Sequence, residues 1–170
     1  EFWDLSLVDP DNRRPVDFAV RAKALAGSRT ANWDALTREW SSGEVKLGWT
    51  AHLLQLGAAH AEVFTDGDYQ PIEVTGPHKD HVIAFARRRG REAMITVTAR
   101  CLAALTDAGR QWPRADAFDA TLVLRDYATD TIDGRADEVP VSALVRHLPA
   151  AVLSARVRGT AQRLRKPKVA

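Results

Sequence analysis

Two acids, an amide and two guanidiniums stand within six residues in the run Leu7-Val8-Asp9-Pro10-Asp11-Asn12-Arg13-Arg14-Pro15-Val16. A carboxylate and a guanidinium four positions apart around a proline turn, Asp9 and Arg13, converge on one side and set acceptors beside a fork of donors. That pairing suits vicinal hydroxyls, each of which both donates and accepts. Phe2 and Trp3, just upstream, carry aromatic faces of the kind that pack on the apolar faces of sugar rings. The residue chemistry therefore admits a carbohydrate subsite. It also admits a plainer arrangement, in which Arg13 satisfies Asp9 or Asp11 and the turn caps a helix starting at Pro15. A solvent-exposed ion pair of that kind is a common surface feature of little energetic weight, and on the residues alone the capped turn is favoured.

Other groups have weaker claims on chemistry. His78 and His81 have the i, i+3 spacing of a zinc pair, but they sit in a proline-containing turn beside Lys79, where solvated loop histidines are expected. No metal site and no cofactor is expected. Cys101 is expected to be a small buried apolar residue. Arg87, Arg88, Arg89 and Arg91 read as a charged hairpin tip that guards sheet edges rather than as a phosphate grip. Trp33, Trp40 and Trp49 recur at helical spacing and are expected in a core rather than as sugar platforms.

The elements that must position these groups fall into two parts. Pro15 to Gly27 has a helix start signal, roughly helical apolar spacing and a glycine stop. Asn32 to Trp40 forms a second helix with Asn32 as its cap, and a third runs from Glu44 to about His60 on an apolar stripe. After the turn signal Asp66-Gly67-Asp68 the pattern changes to strands: Tyr69 to Val74, Val82 to Ala86, Ala93 to Ala99, Thr121 to Leu124, Thr129 to Asp133 (turned by Asp133-Gly134), and Ala151 to Ala155. The second and third of these form a hairpin across Arg88 to Arg91. Ser142 to His147 is a turn or two of helix, and Asp107 to Phe118 a long loop. Short strands at this spacing predict a sandwich of antiparallel sheets. Three single-striped helices do not obviously close a domain by themselves and look like the end of something larger.

Bulk properties narrow the class. Apolar residues at 45% and charged residues at 27% are an ordinary globular balance, and 170 residues can bury a core without disulfides. One cysteine makes neither an intrachain disulfide nor a cysteine-based metal site. No apolar run approaches the roughly 20 residues that span a bilayer, and no signal peptide is visible. The start at Glu1, without a Met, suggests an excised or processed chain. The net charge of +2 conceals six basic residues and no acid from Arg156 onward; without them the balance is 18 basic to 22 acidic residues, or −4. The basic stretch is expected to be a solvated terminus, since the acidic body offers no matching face for a nucleic acid.

The segment Glu1-Phe2-Trp3-Asp4-Leu5-Ser6-Leu7-Val8-Asp9-Pro10-Asp11-Asn12-Arg13-Arg14-Pro15-Val16-Asp17 resembles the stretch after the eighth barrel strand of maltooligosyl trehalose synthases, members of the α-amylase clan. Its Asp-Pro-x-Asn-Arg core is similar to a pattern found across that clan. Trp40-Ser41-Ser42-Gly43-Glu44-Val45-Lys46-Leu47 resembles a helix start of the same family, and Val63 to Pro71 and Asp80 to Arg87 resemble the beginning and first hairpin of its β-domain. The resemblance runs from Glu1 to about Ala155.

That resemblance implies an α+β piece of a larger enzyme. Residues 1–62 would be the loop and helices that end a (β/α)8 barrel, residues 63–155 an antiparallel β-sandwich C-terminal domain, and residues 156–170 a basic tail. The implied activity is that of an isomerase, a glucan glucosylmutase that turns the reducing-end α-1,4 bond of a maltooligosaccharide into an α-1,1 bond in trehalose biosynthesis, by the double displacement of a retaining glycosidase. The resemblance assigns substrate binding to Asp9 and Arg13, loop bracing to Asn12 and the cleft wall to Glu1 and Trp3. It assigns no catalytic carboxylate to this chain, so the chain alone is expected to be inactive. Its partners would be the α-glucan substrate and the rest of the barrel, in the same or a separate chain, with a cytoplasmic location and no membrane contact. The alternative is a non-catalytic carbohydrate-binding β-domain of another α-amylase-family enzyme.

Overall fold

The computed structural model describes residues 16–28, 32–130 and 136–158. The three expected helices are present. α1 (Phe18–Ser28) ends one residue beyond Gly27. Asn32, in an extended backbone conformation, accepts the Asp34 N–H through its side-chain oxygen at 2.7 Å and so satisfies an orphan donor at the start of α2 (Trp33–Arg38). A single 3-10 turn, Trp40–Ser42, then closes on Gly43 at φ +82°, a left-handed position that favours glycine, and α3 (Glu44–Ala59) follows at once. Gly48 lets α1 approach α3: a Cβ there would lie 3.2 Å from the Ser28 Cβ.

The chain does not stop being helical at His60. It turns there and forms α4 (Ala61–Asp66), an element absent from the sequence reading. Six residues hold too little periodicity to announce a helix; this one is kept by what it touches. Val63 is buried, the Phe64 carbonyl accepts from the Arg87 guanidinium at 3.0 Å, and Glu62 pairs with Arg89. Arg87 and Arg89 are thus fasteners of α4 rather than only a charged tip.

The expected strand over Tyr69–Val74 is in fact two, β1 (Asp68–Pro71) and β2 (Val74–Thr75), in different sheets. The crossing is visible in the hydrogen bonds: Ile72 N–H still donates to Ala84, while the Glu73 carbonyl accepts from Val123. β3 (Val82–Arg89) and β4 (Glu92–Ala99) form the expected hairpin, with Gly90 at φ +59° in its two-residue turn. β5 (Thr121–Val123), β6 (Tyr127–Thr129), β7 (Glu138–Pro140), α5 (Val141–Leu144) and β8 (Ala150–Val157) follow among the described residues. Of the strand expected over Thr129–Asp133, Thr129 ends β6, which begins at Tyr127, while residues 131–133 and the Asp133-Gly134 turn fall outside the described residues.

All pairings are antiparallel, in a five-stranded sheet of order β1-β3-β4-β8-β6 and a three-stranded sheet of order β2-β5-β7. The α+β class with antiparallel sheets is therefore borne out. Period-two alternation aims Ala84 and Ala86 of β3, Ile95 and Val97 of β4, and Leu153 of β8 into one cluster with Leu122 of β5 and Val139 of β7, so both sheets bury apolar residues in a common core. Met94, on the opposite face of β4, lies on the side covered by α4. A second, smaller cluster of Leu36, Val45 and Leu148 is ringed by Trp33, Trp40, Trp49 and Trp112. The tryptophans read as core are half-buried around this cluster, which joins α2 and α3 to the chain just before β8.

Candidate functional site

Glu1, Trp3, Asp9, Asn12 and Arg13, the residues expected to bind substrate, lie outside the described residues, as does Phe2. Among the described residues, an open groove of about 660 Å³ is the candidate site. One wall is α2 and the 3-10 turn after it, contributing Asp34, Arg38 and Trp40. The other is the segment 111–116 with His147 beyond it.

Local chemistry explains why these side chains stand where they do. Trp112 donates its indole N–H to the His147 carbonyl at 2.9 Å, which holds the ring upright, and its centroid is 6.0 Å from that of Trp40 with the planes tilted by 38°. His147 Nδ1 donates to the Asp34 carboxylate at 2.6 Å, tying α2 to the connection before β8 across 113 residues of sequence. Arg114 donates to both oxygens of Asp116, from Nε at 3.0 Å and from Nη2 at 2.7 Å. That hydrogen bond holds the Asp116 carboxyl below the usual carboxylate range and pushes the Arg114 guanidinium still higher, so both remain charged at any physiological pH. The groove therefore combines two half-buried indoles with carboxylates and guanidiniums at its rim.

The remaining candidates resolve into structural roles. His78 Nδ1 accepts the Asp119 N–H at 3.1 Å and His81 Nδ1 approaches the Arg100 carbonyl at 3.4 Å. No group of three or more metal-capable side chains forms among the described residues. Cys101 corrects the sequence reading: it is exposed, at φ +53°, because the chain leaves β4 and doubles back into a 3-10 turn, Leu102–Leu105, from which Leu102 and Leu105, partly buried, pack against the core instead. Arg156 lies within β8 opposite Glu92, and Arg158 pairs with Asp137. Trp112, Arg114 and Asp116 were missed because they sit in a loop with no period, and His147, at the end of a short expected helix, because its partner Asp34 lies far along the chain. A tryptophan followed by Pro-Arg-x-Asp in a loop was the signal available.

Fold and groove together define an α+β unit in which two antiparallel sheets carry a short helical layer and a polar, aromatic-walled cleft. Comparison with known proteins narrows this. No protein-family model matches the sequence. Over 98 residues, 58% of this chain, it is 41% identical to proteins of two Mycobacterium tuberculosis strains that carry the name maltooligosyl trehalose synthase. The match takes in 11% of those proteins' length. Among solved structures, the maltooligosyltrehalose synthase of Arthrobacter ramosus superposes on 91% of this chain with a TM-score of 0.61 at 30% identity, and a single-substitution mutant of it with 0.65 at 28%. Each superposition uses 19% of the solved chain. The chain is thus a relative of the maltooligosyl trehalose synthases, alike in sequence over part of its length and in fold over nearly all of it, and it spans less than a fifth of the proteins it matches. No helix among the described residues is long and apolar enough to cross a membrane.

Proposed function

We propose that this chain is the C-terminal part of a cytoplasmic maltooligosyl trehalose synthase, comprising the last loop and helices of its (β/α)8 barrel and a β-sandwich domain. The observation that supports this most is the agreement of sequence and fold with synthases from two bacterial genera. In that reading the whole enzyme isomerises the reducing-end α-1,4 bond of a maltooligosaccharide to α-1,1. The attacking carboxylate and the acid/base belong to barrel strands outside these 170 residues, and the chain alone is inactive.

The contribution of this chain is positional. Asp9, ionised, accepts hydrogen bonds from sugar hydroxyls, and Arg13 donates to them from a planar, permanently charged fork. Each such charged hydrogen bond is worth about 1.5–3 kcal/mol when its partner is buried with substrate. Asn12 braces the loop, and Glu1 and Trp3 form the cleft wall that keeps water from intercepting the glucosyl unit.

The test is made in the longer protein. Asp9→Ala and Arg13→Ala each lower the rate of α-1,1 product formation from maltopentaose by about tenfold or more, with an unchanged melting temperature. If both variants convert maltopentaose at the parent rate, these residues do not bind substrate. If the longer protein forms no α-1,1 product at all, the synthase reading is wrong.

A further inference from the structure

The groove between α2 and the 111–116 segment has a charge balance opposite to that of the chain around it. Before Arg156 the chain carries 18 basic and 22 acidic residues, yet the groove is lined by Arg38, Arg114 and Arg146 against Asp34 and Asp116. We propose that the groove is an anion-binding site for a small phosphate-bearing ligand, the phosphate group being what is recognised.

The pairing within the groove sharpens the imbalance. Asp116 is held at both oxygens by Arg114, which uses Nε and Nη2 and keeps Nη1 for a further acceptor. Asp34 is held by His147 Nδ1. Arg38, on the α2 wall, and Arg146, beside His147 on the other, are exposed, and neither pairs with a carboxylate among the described residues. A positive concave surface on an acidic body concentrates small anions. Guanidiniums from both walls call for more acceptors than one carboxylate supplies. A phosphate monoester carries about −1.5 to −2 charges at neutral pH and three acceptor oxygens, and guanidinium forks match its geometry. The volume of about 660 Å³ leaves room for a sugar-sized group on the phosphate, with Gln111 as a neutral donor and acceptor beside it. The Asp34–His147 contact and the Trp112 bond to the His147 carbonyl fix the two walls before any ligand arrives, which lowers the ordering cost of binding.

The proposal stands on the groove alone. Conversion of maltopentaose by the longer protein tests the synthase reading, and anion binding by the 170-residue chain tests this one, so either can fail without the other.

The test is an NMR titration of the nitrogen-labelled chain. The Trp112 indole N–H, identified by its loss in Trp112→Phe, reports on the groove. The probes are inorganic phosphate, glucose 6-phosphate and glucose, with sodium chloride at matched ionic strength as the control. Both phosphates shift the Trp112 signal saturably, and glucose and chloride do not. Phosphate binding weakens as sodium chloride is raised, because exposed charges are screened. Arg38→Gln and Arg146→Gln each weaken it by about tenfold, the loss of one charged hydrogen bond. Both variants keep the parent melting temperature, since neither side chain pairs with a carboxylate among the described residues. Arg91→Gln, on the β3–β4 turn outside the groove, removes the same charge and changes nothing. Tighter binding of glucose 6-phosphate than of inorganic phosphate assigns the site to a sugar-sized ester and equal binding assigns it to free phosphate; phosphate recognition is supported in both cases. A Trp112 signal indifferent to both phosphates, an equal response to glucose or chloride, or binding unchanged in both Arg38→Gln and Arg146→Gln overturns the proposal.

Discussion

Replacing Leu122 by Ala tests whether the two apolar clusters form one cooperative structure. Leu122 is 0% exposed in the middle strand of the small sheet, with Val74 opposite it on β2 and Val139 on β7. Its neighbours in the core come from both sheets, so no single element can close over the space left behind. A buried Leu→Ala change of this kind costs about 2–5 kcal/mol. For a chain of this size each kcal/mol lowers the melting temperature by about 2–4 °C, so a loss of about 3 kcal/mol moves it by about 6–12 °C. The tryptophans supply an unusual probe. All four described ones ring the second cluster, while none belongs to the cluster that holds Leu122. In a Trp3→Phe background, intrinsic fluorescence therefore follows a region the substitution does not touch, and far-UV circular dichroism follows the backbone as a whole, helices and strands together. In urea both midpoints fall together, because α4 is fastened to β3 through Arg87 and Phe64 and α2 is fastened to the chain before β8 through Asp34 and His147. A fluorescence midpoint that stays in place while the dichroism midpoint falls would refute this coupling, and a loss below about 1 kcal/mol would refute the central position given to Leu122.

Three further outcomes follow from single residues. Gly67→Ala destabilises the chain by about 1–3 kcal/mol in urea titration, because a Cβ there meets the Val63 carbonyl oxygen at 2.3 Å and the Arg88 carbonyl oxygen at 3.0 Å. Burial, partly offset by Arg88 and reinforced by Asp126, raises the Tyr127 phenol above its ordinary value. The unfolded chain then gives up this proton first, so stability that is intact below about pH 10 is lost as the pH rises through the folded value; melting curves from pH 9 to 11 show a shallower decline for Tyr127→Phe than for the parent. Cys101, being exposed, reacts fully with a thiol reagent in the absence of denaturant, and a thiol that reacts only after unfolding would restore the buried reading.

Much of the local architecture was legible because it depends on neighbours in the chain. The Asn32 cap, the α3 stripe and the alternation of Val82, Ala84 and Ala86 against Ile83 and Phe85 are each written within a few residues, where helical and strand periods operate. The β3–β4 hairpin followed from Gly90 between two runs of β-forming residues. What misled were features set by contacts between distant segments and, at Cys101, a local reversal that the composition around it does not signal. α4 exists because Arg87 and Arg89, more than twenty residues away, hold it. The break between β1 and β2 exists because Ile72 and Glu73 bond to different sheets. Cys101 is outside because the chain reverses after β4, which no count of apolar neighbours reveals.

The candidate sites divide along the same line. The Asp9–Arg13 string was recognisable from sequence because its members are adjacent, and its family resemblance is carried by that adjacency. The groove was not, because it is assembled from Asp34, Trp40, Trp112 and His147, brought together from across 113 residues of chain by one carboxylate–imidazole contact and one indole hydrogen bond. The sequence by itself determined the class of fold, the succession of helices before strands and the family likeness, since short-range periodicity and contiguous motifs suffice for those. Only the tertiary structure decided which sheet each short strand joins, which tryptophans face a cleft and that Cys101 meets solvent, since these depend on how the chain is arranged in space rather than on which residues adjoin in sequence.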